Sequence, residues 1–396
     1  MEKRPAYELV DTPEGYRRAA AALAQGRGPF AVDTERASAY RYDDRAFLVQ
    51  IHRRGAGTFL IAPEGHRREV EAILGPVVND GDWIIHAAGE DLASLALLGL
   101  HPGSLFDTEL AARFAGFDRP NLAAVVEHYT GVLLEKGHGK EDWSLTPLPE
   151  DWLDYAALDV AYLHDLAESL AEELDHAGVL SFAAAEFDHL VETRSLKPAP
   201  RRTWRDLKGV ASVRSPRGLQ IARTLYNARA HEARRSDVAP NSVLPSRVVV
   251  AIARAEPATP GQLARIPGFP ARRRGAAQHW MSYVEQALAD DPTSFPAPAV
   301  RDRSKPPTKA NWERSHPENF AALEEAKQLL GDASRDLGFP PEILLTPAIL
   351  REVVWRAHAT DDTHSVVASL MSSGARQWQA EIAAPLIAKA VQAHPH

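Results

Sequence analysis

Two proline-rich stretches break the apolar patterning of this chain, at 196–202 and 294–307. Proline removes a backbone donor and biases its predecessor away from helix, so neither stretch can lie inside a packed element. The 396 residues are therefore expected to divide into two or three folding units, as a chain of this length allows. The expected organisation is a first unit over 1–195, a linker at 196–212, a helical unit over 213–292, a second linker at 293–312 and a last helical unit over 313–396.

The first unit begins with short apolar runs at 29–33, 47–51, 58–61 and 83–86, which read as strands. The first three are close enough together to form a meander of hairpins. Helical periodicity follows at 90–98, 108–114, 122–129 and, as one long helix, 153–174. Early strands followed by a strand–helix alternation imply an α/β unit, a mixed sheet covered by helices. Residues 215–290 are helical in pattern, and the proline-bearing stretch 238–249 recurs as 339–350 at an offset of 101, as if one helical module occurred twice.

Charge is divided along the same lines. The net charge of −8 conceals 18 basic against 34 acidic residues over 1–200, and 16 against 4 over 201–280. A segment as basic as the second is an electrostatic footprint for a polyanion. With no cysteine in the chain, disulfides, thiolate nucleophiles and zinc–thiolate sites are excluded, so any metal must be held by carboxylate, imidazole or water. The N-terminal sequence lacks the apolar stretch of a signal peptide and no run is long enough to span a bilayer, which makes the cytoplasm the expected compartment and a membrane partner unexpected.

Three carboxylate motifs stand out in the first unit. Asp33 and Glu35 end an apolar run two residues apart, so they share one strand face. Neighbouring carboxylates repel unless a cation lies between them, and hard oxygen donors suit magnesium or manganese. Asp91 follows the strand at 83–86 at the start of a helix, where a plain capping role is the ordinary explanation; Asp107 repeats that arrangement and is read as a cap. Tyr155 and Asp159 are four apart on one helix face, able to offer one ligand and one hydroxyl that steers a water. Each motif alone has a structural explanation.

Taken in order, the motifs resemble the tyrosine-bearing branch of the DEDD 3′→5′ exonucleases, and the ribonuclease D family in particular. The resemblance extends over about 5–175 and includes the strand at 46–51, 86–91, Asp107-Thr108 and the stretch from Leu134 to Trp143. Residues from about 216 to 288, with Asn241 and 263–268, are similar to the helicase-and-RNase-D C-terminal (HRDC) domain, which occurs twice in ribonuclease D. The resemblance implies an RNase H-like mixed sheet followed by all-α HRDC-like domains. It also implies a site of Asp33, Glu35, Asp91 and Asp159 holding two Mg2+ or Mn2+ ions, with Tyr155 orienting the attacking water. The activity implied is release of nucleoside 5′-monophosphates from RNA with a free 3′ end, in structured-RNA or tRNA-precursor maturation or turnover. A DNA exonuclease, or a non-catalytic nucleic-acid-binding protein, is the alternative. Arg36 departs from the family, which has an aromatic or apolar residue after the Asp-x-Glu pair. RNA contacts are expected at Lys136, His138 and Lys140 in a loop and at Arg272, Arg273 and Arg274 after a Pro-Gly turn. His86 and the tryptophans 204, 280, 312 and 355 are read as packing residues. Deleting 205–396 is then expected to weaken RNA binding and spare cleavage.

Overall fold

A computed structural model describes residues 5–134, 137–195, 202–298, 302 and 304–395. Its first unit is built on a six-stranded sheet: β1 (Glu8–Val10), β2 (Arg27–Arg36), β3 (Ala46–Arg54), β4 (Gly57–Ile61), β5 (Asp82–Ile85) and β6 (Ser104–Asp107), in the spatial order β1-β4-β3-β2-β5-β6. The antiparallel ladder β2–β3–β4 is the expected meander, while β1, β5 and β6 join it in parallel. β1 and β6 were not legible in the sequence. At three and four residues they carry no periodic pattern of their own, and pairing with β4 and β5 makes them strands.

Helices α1 (Pro13–Gln25), α2 (Arg67–Val78), α3 (Leu92–Ala96), α4 (Thr108–Phe114), α5 (Leu122–Thr130), α6 (Glu150–Ala161), α7 (Leu163–His176) and α8 (Leu180–Leu190) cover the sheet. Their starts follow local chemistry. The Thr12 hydroxyl accepts from the Gly15 amide before α1, and Asn121 accepts from Ala124 before α5, each satisfying an orphan helix donor. The long helix expected over 153–174 is instead two, α6 and α7, broken at Tyr162. The break has a packing cause: α6 lies on β2, β3 and β4, whereas α7 runs on to β5, α4 and α5. Leu48, Leu60, Trp143, Leu153, Ala156 and Ala157 form the apolar layer that seats α6 on the sheet.

The remaining helices are α9 (Pro216–Ser236), α10 (Pro240–Val243), α11 (Ser246–Ala255), α12 (Pro260–Ala264), α13 (Ala276–Ala289), α14 (Lys309–Ser315), α15 (Pro317–Leu337), α16 (Pro341–Leu344), α17 (Pro347–Arg356), α18 (Thr363–Ser372) and α19 (Gln377–Ala393). α9, α10 and α11 reappear as α15, α16 and α17 with identical lengths at an offset of 101 residues. The two sets of helices are buried differently. α9 to α13 close on a core of their own, with Leu225, Val248, Ile252, Leu263 and Trp280. The core of α14 to α19 is continuous with that of the sheet unit. Trp378 stacks on Phe182 with ring centres 4.7 Å apart, and Phe339 meets Phe114 edge-on at 5.1 Å. Glu186 accepts from Arg376 Nε at 2.6 Å and Nη2 at 2.5 Å, and from the Trp378 indole at 3.0 Å. Among the described residues no helix is long and apolar enough to cross a membrane.

Candidate active site

β2 delivers the first two acids. It is an interior strand of the sheet, and its alternation turns Asp33 and Glu35 to the face on which α6 lies. α6 brings Asp159 down onto them. One carboxylate oxygen from each of Asp33, Glu35 and Asp159 lies within 4.8 Å of the others. Tyr155, one turn earlier on α6, lies on the same helix face as Asp159, close enough for the two side chains to act on each other electrostatically. The Tyr155 ring is packed by Trp143 and His138, with centroids 6.5 and 5.7 Å away. The loop carrying His138 approaches so closely at Gly137 that a side chain there would run into the Tyr155 ring.

Asp91 arrives from the other side of β2. It occupies the residue before α3 but makes no capping bond; its Oδ1 accepts from the Thr34 hydroxyl at 2.6 Å. Arg36 reaches the same oxygen at 3.6 Å while pairing with Asp44 at 3.1 Å and Glu90 at 3.5 Å. The structure therefore brings Asp33, Glu35 and Asp159 together and holds Asp91 just outside the triplet. Arg36, unusual by sequence, is a cation inserted into the acidic rim. The turn before Asp91 is held by Asp107, which accepts from the amides of Ala87, Ala88, Glu109 and Leu110. Ala87 there has φ of 63°, a left-handed conformation that costs a residue with a side chain about 1–2 kcal/mol. His86 bonds Thr108 at 2.9 Å, and burial lowers its pKa to about 4, so it stays a neutral packing residue.

Burial, reinforced by mutual repulsion, holds the acids above the usual carboxylate range. Asp33 is raised well above it, Glu35 to about 9, Asp159 to about 7 and Asp91 to about 6. Burial and the same negative neighbours raise the Tyr155 phenol, so its hydroxyl stays protonated and available to donate. Three hard oxygen ligands crowded together at this electrostatic cost are the donor set a divalent cation would relieve. The consequence for stability has a definite sign. A carboxyl with a native pKa above its unfolded value of about 4 stabilises the fold fully below that pH and loses the contribution as pH rises through the native pKa. Metal-free protein should therefore lose thermal stability between about pH 5.5 and about pH 8, and Mn2+ should restore more of it at the upper end. Melting curves in chelator and in Mn2+ across that range check this; parallel curves would contradict it.

Of the expected RNA contacts, Lys136 lies outside the described residues. Lys140 is exposed, and its carbonyl accepts from Tyr40 at 3.4 Å. Arg272, Arg273 and Arg274 are exposed in the turn before α13; Arg273 Nη2 donates to the Ser242 carbonyl at 3.1 Å. No ion pair engages Arg272 or Arg274 among the described residues. Arg247, not singled out by sequence, lies beside the left-handed Gly268 of the Pro-Gly turn and adds a fourth arginine to this end. Trp280 and Trp312 are buried, and Trp355 packs edge-on against Trp312.

Comparisons with known proteins agree with this architecture. Residues 7–175 match the family model described as 3′-5′ exonuclease, 218–276 the HRDC domain, and 305–391 the 3′ to 5′ exonuclease C-terminal domain. Ribonuclease D of Gluconacetobacter diazotrophicus is 35% identical over 201 residues, which is 50% of this chain and 51% of that protein. The alignment thus spans about half of that relative. Ribonuclease D of Escherichia coli is 27% identical over 402 residues, covering 98% of this chain and 99% of its own. The crystal structure of E. coli RNase D, described as an exoribonuclease involved in structured RNA processing, superposes with a TM-score of 0.73 at 25% identity, covering 99% of this chain and all of its own. A protein from Bifidobacterium adolescentis superposes with a TM-score of 0.84 at 29% identity, over 98% of this chain and 100% of that one.

Proposed function

We propose that this chain, which belongs to the ribonuclease D family of 3′→5′ exonucleases, hydrolyses RNA from its free 3′ end one nucleotide at a time, releasing nucleoside 5′-monophosphates. The observation that carries the reading is the convergence of Asp33, Glu35 and Asp159 within 4.8 Å under Tyr155. Asp33, Glu35 and Asp159, with Asp91 at the rim, would hold two Mg2+ or Mn2+ ions. Such ions lower the pKa of a bound water and stabilise negative charge on phosphate and leaving oxygen. The chain's own contribution is positional. Tyr155, protonated and braced by Trp143, His138 and Gly137, directs its hydroxyl at the acids, where it can orient the attacking water without acting as a base. Thr34 and Arg36 hold Asp91 by one oxygen. The RNA specificity in this reading comes from the relatives, and a cytoplasmic location goes with it.

Purified protein incubated with end-labelled RNA and DNA, with and without Mn2+, tests the proposal. A metal-dependent ladder shortening from the 3′ end of RNA supports it. Preferential shortening of DNA would replace it with a DNA exonuclease, and binding without cleavage with a nucleic-acid-binding protein.

The domain division expected from the sequence is part of the same proposal: a catalytic unit over 1–195, an HRDC unit over 213–292 that grips RNA, and a second, divergent unit over 313–396. Lys140 and Arg272 to Arg274, with Lys136, would hold the phosphate backbone. Alanine at both Arg272 and Arg274 should lower the slope of log affinity against log salt by about 0.7 for each phosphate no longer neutralised on single-stranded RNA. Single-turnover cleavage at saturating RNA should be unaffected. Anisotropy titrations over a salt series measure the slope, and an unchanged one removes these arginines from the RNA path.

A further inference from the structure

Gln50 lies in the middle of β3 with no exposed surface, and neither Oε1 nor Nε2 has a hydrogen-bond partner. Strand register places it directly across from Asp33 on β2 and from Leu60 on β4. Directly opposed residues of antiparallel strands project to the same face, with Cβ atoms about 4.5–5.5 Å apart, so the amide shares the face of the acid triplet. Its nearest neighbours on β3 and β4 are largely apolar. Leu48, two residues earlier on the same face, and Leu60 belong to the layer under α6 with Ala156 and Ala157. His52, two residues later, is engaged with Thr58 at 2.8 Å. The amide therefore has Asp33 as its polar neighbour across the ladder. Burying two donors and an acceptor unpaired opposes folding, and Val or Leu there would leave no polar group unpaired. Carboxylates that ligate metals are in turn held by neighbours that fix which oxygen faces the ion.

We propose that Gln50 is a positioning residue of the metal centre, its Nε2–H donating to the outer oxygen of the Asp33 carboxylate when the inner oxygen ligates a divalent cation. The role rests on reading the triplet as that centre. The test is calorimetric titration of the full-length protein with Mn2+ alone, paired with melting curves in chelator. Gln50→Leu should raise the metal-free melting temperature by a few degrees, roughly what removing one unpaired buried group allows, and weaken Mn2+ binding about 10- to 100-fold. Those opposite movements are the signature, since a merely structural glutamine would lower stability and leave metal affinity alone. Gln50→Met, of closer shape, should behave in the same way and serves if the leucine variant does not fold. Unchanged Mn2+ affinity in a folded variant overturns the proposal, whatever its stability. Wild-type protein that binds no Mn2+ sinks the metal-centre reading, and the role of Gln50 with it.

Discussion

Asp33→Asn should reduce metal-dependent 3′ shortening of RNA by at least about 10^3-fold, equivalent to roughly 4 kcal/mol of transition-state stabilisation, while making the metal-free protein more stable. The first effect follows from position. Asp33 is one of three acids whose oxygens converge within 4.8 Å, and an amide of the same shape supplies one neutral oxygen where an ion needs a charged one. The second follows from electrostatics. Burial and the charges of Asp91, Asp159 and Glu35 all act against ionised Asp33, so an amide that needs no proton to be neutral removes a cost the metal-free fold must bear. Product assays on end-labelled RNA and melting curves in chelator read the two effects. Full activity in the variant would place the chemistry elsewhere in the chain.

Trp378→Ala should destabilise the sheet unit as well as the helices that contain it, by about 3–5 kcal/mol, the usual cost of emptying a large aromatic site. The residue is 7% exposed, stacks on Phe182 of α8, and donates its indole N–H to Glu186. Removing it leaves a cavity on the seam between the two units and takes one of three donors from a carboxylate that is itself mostly buried. Urea unfolding followed by the tryptophans of the sheet unit, Trp83, Trp143 and Trp152, should show a lower midpoint for that unit. Unfolding of α14 to α19 with the sheet-unit signal unmoved would mean that the seam carries little energy. The same seam changes the expected outcome of truncation. Cutting away 205–396 does more than remove an RNA grip, because it uncovers Phe114 and Phe182 and leaves Glu186 without Arg376. Loss of cleavage in such a fragment would therefore report instability before it reported RNA binding.

How much of this was legible depends on the range of the interaction. Asp33 with Glu35, and Tyr155 with Asp159, could be paired on paper because strand and helix periods fix which near neighbours share a face. The cap at Asp107, the strands of the meander and the basic character of 201–280 are equally local, and the repeat at an offset of 101 lies in the wording of the chain itself. Other features depend on what a distant segment brings. Glu186 and Arg376 read as ordinary charged helix positions until two helices almost two hundred residues apart bury them together. Asp91 is turned to Thr34, Arg36 is bound into the acidic rim, and Gln50 is sealed beside Asp33, none of which has a periodic signature.

The sequence by itself determined the inventory: which side chains could bind a hard cation, which of the longer periodic segments become strands or helices, and where the positive charge is concentrated. Only the tertiary structure decided the arrangement, in which three of the four acids meet, the fourth acts on all of them by its charge, and the last helices complete the core of the first unit. The physical reason is that backbone periodicity acts over a few residues, whereas burial and charge repulsion are set by whichever surfaces the folded chain presses together.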